Sequence, residues 1–148
     1  MNLLIISLKI LLVLSWCFTI LGVVKLYRAD SGVQMKFDWL SMINISGTIG
    51  LTLVSLFAVI NENTYAFTAG LLAVSIAMVW FLKARLMIAG RAKALLGLKM
   101  IDLKDIRKVY ARFMTLYVET KHSGTLKLYG PVTDRSVTMK LYNAGKGK

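Results

Sequence analysis

The chain has little of what soluble enzymes are commonly built from. Its 148 residues hold one cysteine, one proline and one histidine. A lone Cys17 forms no internal disulfide and builds no metal site by itself. One proline and eleven glycines argue against a collagen-like or disordered chain. Neither HExxH nor CxxC occurs. His122 falls in a predicted turn, Lys121-His122-Ser123-Gly124, and reads as a solvated turn residue. Gly90 and Gly97 are isolated, so no glycine-rich loop can cradle a phosphate. The four acids of the C-terminal part, Asp102, Asp105, Glu119 and Asp134, are scattered. Asp102 and Asp105 are three apart, yet no acid/base partner accompanies them. These absences argue against an enzyme and against a cofactor.

The second absence is charge over long stretches. Residues 40–60 are 21 consecutive residues without a charge, and residues 65–82 are 18 more. A helix of about 20 residues covers roughly 30 Å, the hydrocarbon thickness of a bilayer. Strands are implausible there, because every backbone group must be paired inside the segment. Neither run has the polar stripe of a soluble helix. Only Asn61-Glu62-Asn63-Thr64 separates them, so they form an antiparallel hairpin. A third apolar run covers residues 3–26, interrupted by Lys9, with residues 10–26 as its core. A secretory signal peptide would place its charge before the apolar stretch and end in a small-residue cleavage site. Neither feature is present, so the run is expected to stay as a membrane helix. Lys9 is expected to snorkel to the nearer interface.

Small residues mark helix faces. Ser46 and Gly50 are four apart, as are Ala66 and Gly70, and Ala69, Ala73 and Ala77 form an i, i+4 ladder. Such faces allow close approach of helices in lipid. They are expected to be the seam between the second and third spans; the alternative is a face kept for a partner helix or a second copy. Asn44, the most polar group of the second run, is expected to bond a neighbouring helix or to lie near the headgroups.

The net charge of +12 is unevenly placed. Residues 83–148 carry 15 basic and 4 acidic residues, against 4 and 3 before them. Basic residues flank the first loop (Lys25, Arg28, Lys36) and follow the third span (Lys83, Arg85, Arg91, Lys93), whereas the short turn carries Glu62. The positive-inside rule then places the C-terminus in the cytoplasm and the N-terminus outside. Trp39 belongs at the interface.

From about residue 89 the pattern shortens. Met114, Leu116 and Val118 alternate with Thr115, Tyr117 and Glu119. Leu126 and Leu128 flank Lys127, and Val137, Met139 and Leu141 alternate with Thr138 and Lys140. Alternation bounded by turn residues predicts antiparallel strands with one wet face. Residues 94–101 fit a first strand. Residues 102–110 fit either a turn entering a strand or a short helix, and residues 143–148 a frayed end. The expected fold is therefore membrane α-helical, with three transmembrane helices in residues 1–88 and a small β-rich cytoplasmic domain in residues 89–148. So few residues give little core, so the domain is expected to rest on the membrane or a partner.

The basic excess is the main functional signal. Lys83, Arg85, Arg91 and Lys93 would lie just inside the membrane and attract anionic lipid. Arg107, Lys108 and Arg112, with Lys99, Lys104, Lys121, Lys127, Arg135 and Lys140, exceed what topology requires and suggest contact with lipid headgroups or an acidic protein. Nucleic acid is less favoured, although Tyr117, Tyr129 and Tyr142 offer stacking faces.

Asn61–Thr64 at the outer turn, residues 80–85 leaving the membrane and residues 101–109 entering the strands resemble the YobD-like family of uncharacterised bacterial inner-membrane proteins. That resemblance implies an architecture and no site residues. The C-terminal part is also similar to small bacterial pleckstrin-homology-like domains fused to membrane helices, some of which confer immunity to bacteriocins. Two functions fit: a membrane-anchored binding protein, and an immunity or exclusion protein against a membrane-active bacteriocin or phage. A channel subunit fits less well, since the spans offer few polar groups.

Overall fold

The structure, a computed structural model, describes residues 2–33, 37–58, 64–130 and 135–146. Helices α1 (Asn2–Ala29), α2 (Trp39–Phe57) and α3 (Tyr65–Arg85) come first. Strands β1 (Met87–Ala89), β2 (Lys93–Leu96) and β3 (Lys99–Asp102) follow, then a 3-10 turn (Leu103–Asp105). Strands β4 (Ile106–Arg112), β5 (Thr115–Thr120) and β6 (Gly124–Tyr129) precede a last helix, α4 (Arg135–Lys146). The fold is three helices long and apolar enough to cross a membrane, followed by a small antiparallel β domain.

Helix α3 packs against both α1 and α2. Its buried residues are Thr68, Leu72, Ser75, Val79 and Leu82, spaced alternately by four and three. Such a stripe follows the 3.5-residue seam of left-handed helix packing. Helix α2 meets it with Thr48, Thr52 and Ser55, and α1 contributes Ile5, Leu12, Ser15 and Thr19. The hydroxyl groups are tolerated because their own helix satisfies them. Thr48 and Thr52 each donate to a carbonyl four residues earlier, at 2.8 Å, and so does one of Ser55 and Ser75, at 2.7–2.8 Å, while the other gives its single proton to its partner's hydroxyl. Cross-helix bonds are then added: Ser55 Oγ to Ser75 Oγ (2.5 Å), Trp16 Nε1 to Thr52 Oγ1 (3.0 Å) and Trp80 Nε1 to Ser15 Oγ (3.2 Å).

The seam is therefore not the one expected from Ser46, Gly50, Ala66, Gly70, Ala69, Ala73 and Ala77. Ser46, Ala66, Ala73 and Ala77 are exposed, and nothing lies within 4 Å of a Cβ built on Gly50 or Gly70. Only Ala69 packs at the edge of the helical core. Serine and threonine that bond their own backbone are as small as alanine, and here they took the seam instead. Asn44 likewise bonds within its helix, donating to Leu40 O at 2.9 Å, one turn from the start of α2. Lys9 donates to Leu56 O at 2.7 Å, at the C-terminal end of α2, where helix carbonyls lack partners.

The apolar stretch Leu86-Met87-Ile88 does not prolong the third span. Helix α3 ends at Arg85, and β1 starts the β domain at Met87. The sheet β1-β2-β3 is an antiparallel meander, as is β4-β5-β6. Strands β1 and β2 are covered on both faces, which is why their sequence carries apolar runs and not an alternation. Met87, Ala89, Ala94, Leu96 and Ile101 face a core shared with Ile106, Val109, Leu116, Val118 and Leu128 of the second sheet. Ile88 and Leu95, on the opposite face, pack against Leu26 of α1 together with Val33 and Leu86. The domain thus rests on the end of α1.

In the second sheet β5 obeys the period of two, alternating buried and half-buried along its whole length, whereas the register shift after Ile106 puts the buried Ile106 and Val109 of β4 three apart. Met114, expected in that strand, sits instead in the β4–β5 turn with Phe113. Residues 94–101 form two strands around a turn at Gly97, and residues 102–110 resolve into the end of β3, the 3-10 turn and β4. Residues 137–141, expected as a strand, belong to α4. Val137 and Leu141 are buried, with Tyr142 and Ala144 half-buried beside the core. Positions 137 and 141 share a face under either period, so alternation alone could not separate them. The expected frayed end is likewise helical as far as Lys146. Thr133-Asp134-Arg135, which reads in the sequence as a turn before that alternation, lies outside the described residues but for Arg135, where α4 begins.

Candidate functional site

Three attachments fix the β domain to the helices. The first is Asp30, directly after α1. Its carboxylate accepts from the backbone amides of Ala92 (2.6 Å), Lys93 (3.0 Å) and Gly32 (2.9 Å). These amides, Ala92 first, hold its pKa down at about 2. A side chain at Gly90 would meet Asp30 Oδ2 at 2.3 Å, so this turn needs glycine to let the carboxylate in. The second is Arg85, whose Nε donates to Gly130 O at 2.6 Å, with its guanidinium 4.7 Å from the Phe81 ring centroid. The third is Gly97, with φ +61°. Its amide donates to Leu86 O at 2.7 Å, and a Cβ there would sit 2.6 Å from Ala84 O.

These attachments divide the seven basic residues singled out in the sequence. Arg85 is engaged within the chain. Arg91 is exposed and lies over Gly32, and Lys93 is half-buried in the Asp30 clasp. Lys83 lies 4.9 Å from the Trp80 ring and 5.5 Å from the Phe18 ring. It lines a cleft of about 440 Å³ between α1, α3 and the β2–β3 hairpin, together with Lys25, Phe18, Leu21, Leu95, Leu98 and others. No acidic residue lines that cleft. Arg107 is exposed at the register shift that begins β4, and Lys108 and Arg112 are exposed further along that strand.

Register shows what surrounds those last two. Lys108 pairs with Glu119, Tyr110 with Tyr117 and Arg112 with Thr115; on the other side Tyr117 pairs with Lys127 and Thr115 with Tyr129. Paired residues share a sheet face. The face turned away from the core therefore carries Lys108, Arg112 and Lys127 with Tyr110, Tyr117 and Tyr129. The rings of Tyr110 and Tyr117 stack with centroids 5.0 Å apart, and Lys108 and Lys127 lie 5.6 Å and 5.8 Å from them. The result is a row of cation, ring, ring, cation across three strands. Tyr142 is not part of it, since it packs against the core.

Sequence reasoning found Lys108, Arg112 and Lys127 as excess charge and Tyr117 and Tyr129 as stacking faces, but missed Tyr110 and Asp30. Tyr110 ends a segment left open between strand and helix, and its meeting with Lys127 depends on register, which a single sequence does not fix. Asp30 gave no signal beyond its place in a polar loop. His122 is exposed in the β5–β6 turn and borders a cavity of about 180 Å³ with Lys93, Asp102, Asp105, Thr120 and Ser123. Among the described residues no group of acidic, histidine or cysteine side chains is placed to hold a metal. Glu62 lies outside the described residues.

The architecture defines the class: a helical membrane unit joined rigidly to a basic antiparallel β domain. Comparison with protein-family models, curated proteins and solved structures gave no match.

Proposed function

We propose that this chain is a non-enzymatic integral membrane protein that holds an acidic protein partner on its basic β domain. The observation that carries the reading is the outward row Lys108, Tyr110, Tyr117 and Lys127, with Arg112 and Tyr129 beside it. Among the described residues of the three strands, Glu119 is the one acid on that face. Aromatic and cationic side chains held on a rigid sheet suit recognition of carboxylates, at small conformational cost. The cleft lined by Lys25 and Lys83 suits an anionic lipid headgroup as a second, fixed ligand of the junction. The distribution of basic residues supports a bacterial inner-membrane protein with the β domain in the cytoplasm and the N-terminus outside.

The test is copurification from native membranes in mild detergent, with mass spectrometry of bound proteins and lipids. The wild-type chain is compared with a Lys108→Glu, Arg112→Glu, Lys127→Glu variant. An acidic protein retained by the first and lost by the second supports the reading. Equal retention of the same proteins by both would remove it.

A further inference from the structure

The four hairpin turns of the β domain divide by position. Two lie at the helix end. The β2–β3 turn sits on the last turn of α3, through Gly97 and Ala84 O. The β4–β5 turn shares a depression with Leu40 at the start of α2 and with Arg85. The other two lie at the opposite strand ends: the β1–β2 turn at Asp30, beyond α1, and the β5–β6 turn at residues 121–123. Along β5 the two ends are about 17 Å apart, at roughly 3.4 Å per residue.

Their chemistry divides the same way. The far turns are Gly90-Arg91-Ala92 and Lys121-His122-Ser123. The near turns are Gly97-Leu98 and Phe113-Met114, with Leu98 62%, Phe113 93% and Met114 85% exposed. Phe113 also has φ +50°, a conformation that favours glycine and is rare for a bulky residue. A large apolar side chain at a turn position that glycine would fill more cheaply, and in full contact with water, is unfavourable twice over. The turn keeps its backbone hydrogen bonds, from Thr115 N to Phe113 O and from Gly130 N to Met114 O, but the Phe113 side chain stays 93% exposed. Trp39 and Leu40, at the start of α2 where the chain enters the apolar span, are also exposed.

We infer that the near rim of the β domain is a lipid-insertion surface. Phe113 and Met114, with Leu98 from the neighbouring hairpin, enter the leaflet that surrounds the ends of α2 and α3. The occupant is the bilayer that holds the three helices, because Phe113 and Met114 share one depression with Leu40, where α2 enters its apolar span. Arg112, next to Phe113, then lies at headgroup level, where a guanidinium meets phosphate. This goes beyond partner binding and does not depend on it: Arg112 is at the rim end of the outward face, and the row Lys108, Tyr110, Tyr117 and Lys127 stays free.

The experiment uses the full chain in a Cys17→Ser background. Single cysteines are placed by Phe113→Cys, Met114→Cys and Ser123→Cys and labelled with an environment-sensitive fluorophore. The labelled chains are reconstituted, with no partner, in vesicles of phosphatidylethanolamine and phosphatidylglycerol. Nitroxide-labelled lipid should quench positions 113 and 114 several-fold more than 123, and aqueous iodide should quench 123 several-fold more than 113 and 114. Equal iodide access at all three positions would overturn the inference. Shielding of 113 and 114 from iodide without quenching by lipid would also overturn it and assign the rim to a protein surface. Two adjacent positions guard against a misfolded single variant. Failure here leaves the copurification result standing, and the reverse holds too.

Discussion

Helix α3 buries Thr68 and Ser75 and turns Phe67, Val74 and Phe81 outward, whereas strand β5 buries Leu116 and Val118 and leaves Tyr117 and Glu119 on its outward face. Both bury leucine and valine, but α3 also turns large apolar side chains outward and β5 turns polar ones. In the β domain, removal of apolar surface from water is the driving force, at about 25 cal/mol per Å². In lipid that force is absent between helices, so packing and hydrogen bonds decide what lies inside. A hydroxyl that already bonds its own helix loses nothing by burial there. The difference teaches that the membrane unit is held by many weak, self-satisfied contacts, and the β domain by a few large side chains.

Substitutions can break that contrast in graded steps. The largest effect is expected at Ile106, fully buried in the β core. Ile106→Ala should destabilise the domain by about 2–5 kcal/mol, read as a lowered midpoint of domain unfolding in detergent with the helical signal retained. Next is Gly97→Ala, which places a methyl against the Ala84 carbonyl at a left-handed position. It should cost about 2–3 kcal/mol and loosen the β2–β3 hairpin from α3, visible as faster amide exchange at residues 97–99.

Asp30 sharpens the comparison through pH. Its folded pKa of about 2 lies below the ordinary 3.8. A depressed carboxylate stabilises the fold fully above the ordinary value and loses that contribution as pH falls through the folded one. The clasp should therefore hold throughout neutral and mildly acidic conditions and release only between about pH 4 and pH 2. Asp30→Ala should remove this acid step and expose Arg91 to trypsin at neutral pH, while leaving the helices intact. An unchanged cleavage pattern would deny the clasp its role.

The smallest effects belong to the membrane unit. Gly70→Ala meets open space and should raise helix stability by up to about 1 kcal/mol; a loss would return the small-residue face to the seam. Ser55→Ala removes the bond to Ser75 and should cost only about 0.6 kcal/mol, measured by steric trapping or thermal unfolding in detergent.

How much of this was legible beforehand follows from the same physics. Helices α2 and α3 were readable because a charge-free run of span length has one physical solution, and α1 because its apolar run, broken only by Lys9 and Lys25, is as long. The alternation at Leu116 and Val118 named the inner face of β5 directly. Strand β1 was not readable, because burial on both faces makes Met87-Ile88-Ala89 look like more of the span. Helix α4 was hidden because Val137 and Leu141 satisfy two periods. The cation–tyrosine row was half visible: Lys108, Arg112 and Lys127 stand out as excess charge, but only register brings them and Tyr110 together.

The attachments at Asp30 and Arg85 have a mechanical consequence. A body tied to one rod can swivel around it, whereas a body pinned to two rods turns only as they turn. Asp30 pins the sheets to α1, and Arg85 and Gly97 pin them to α3. The β domain is thus no pendant on a tether: the angle at which it presents its outward face is set by the crossing of α1 and α3.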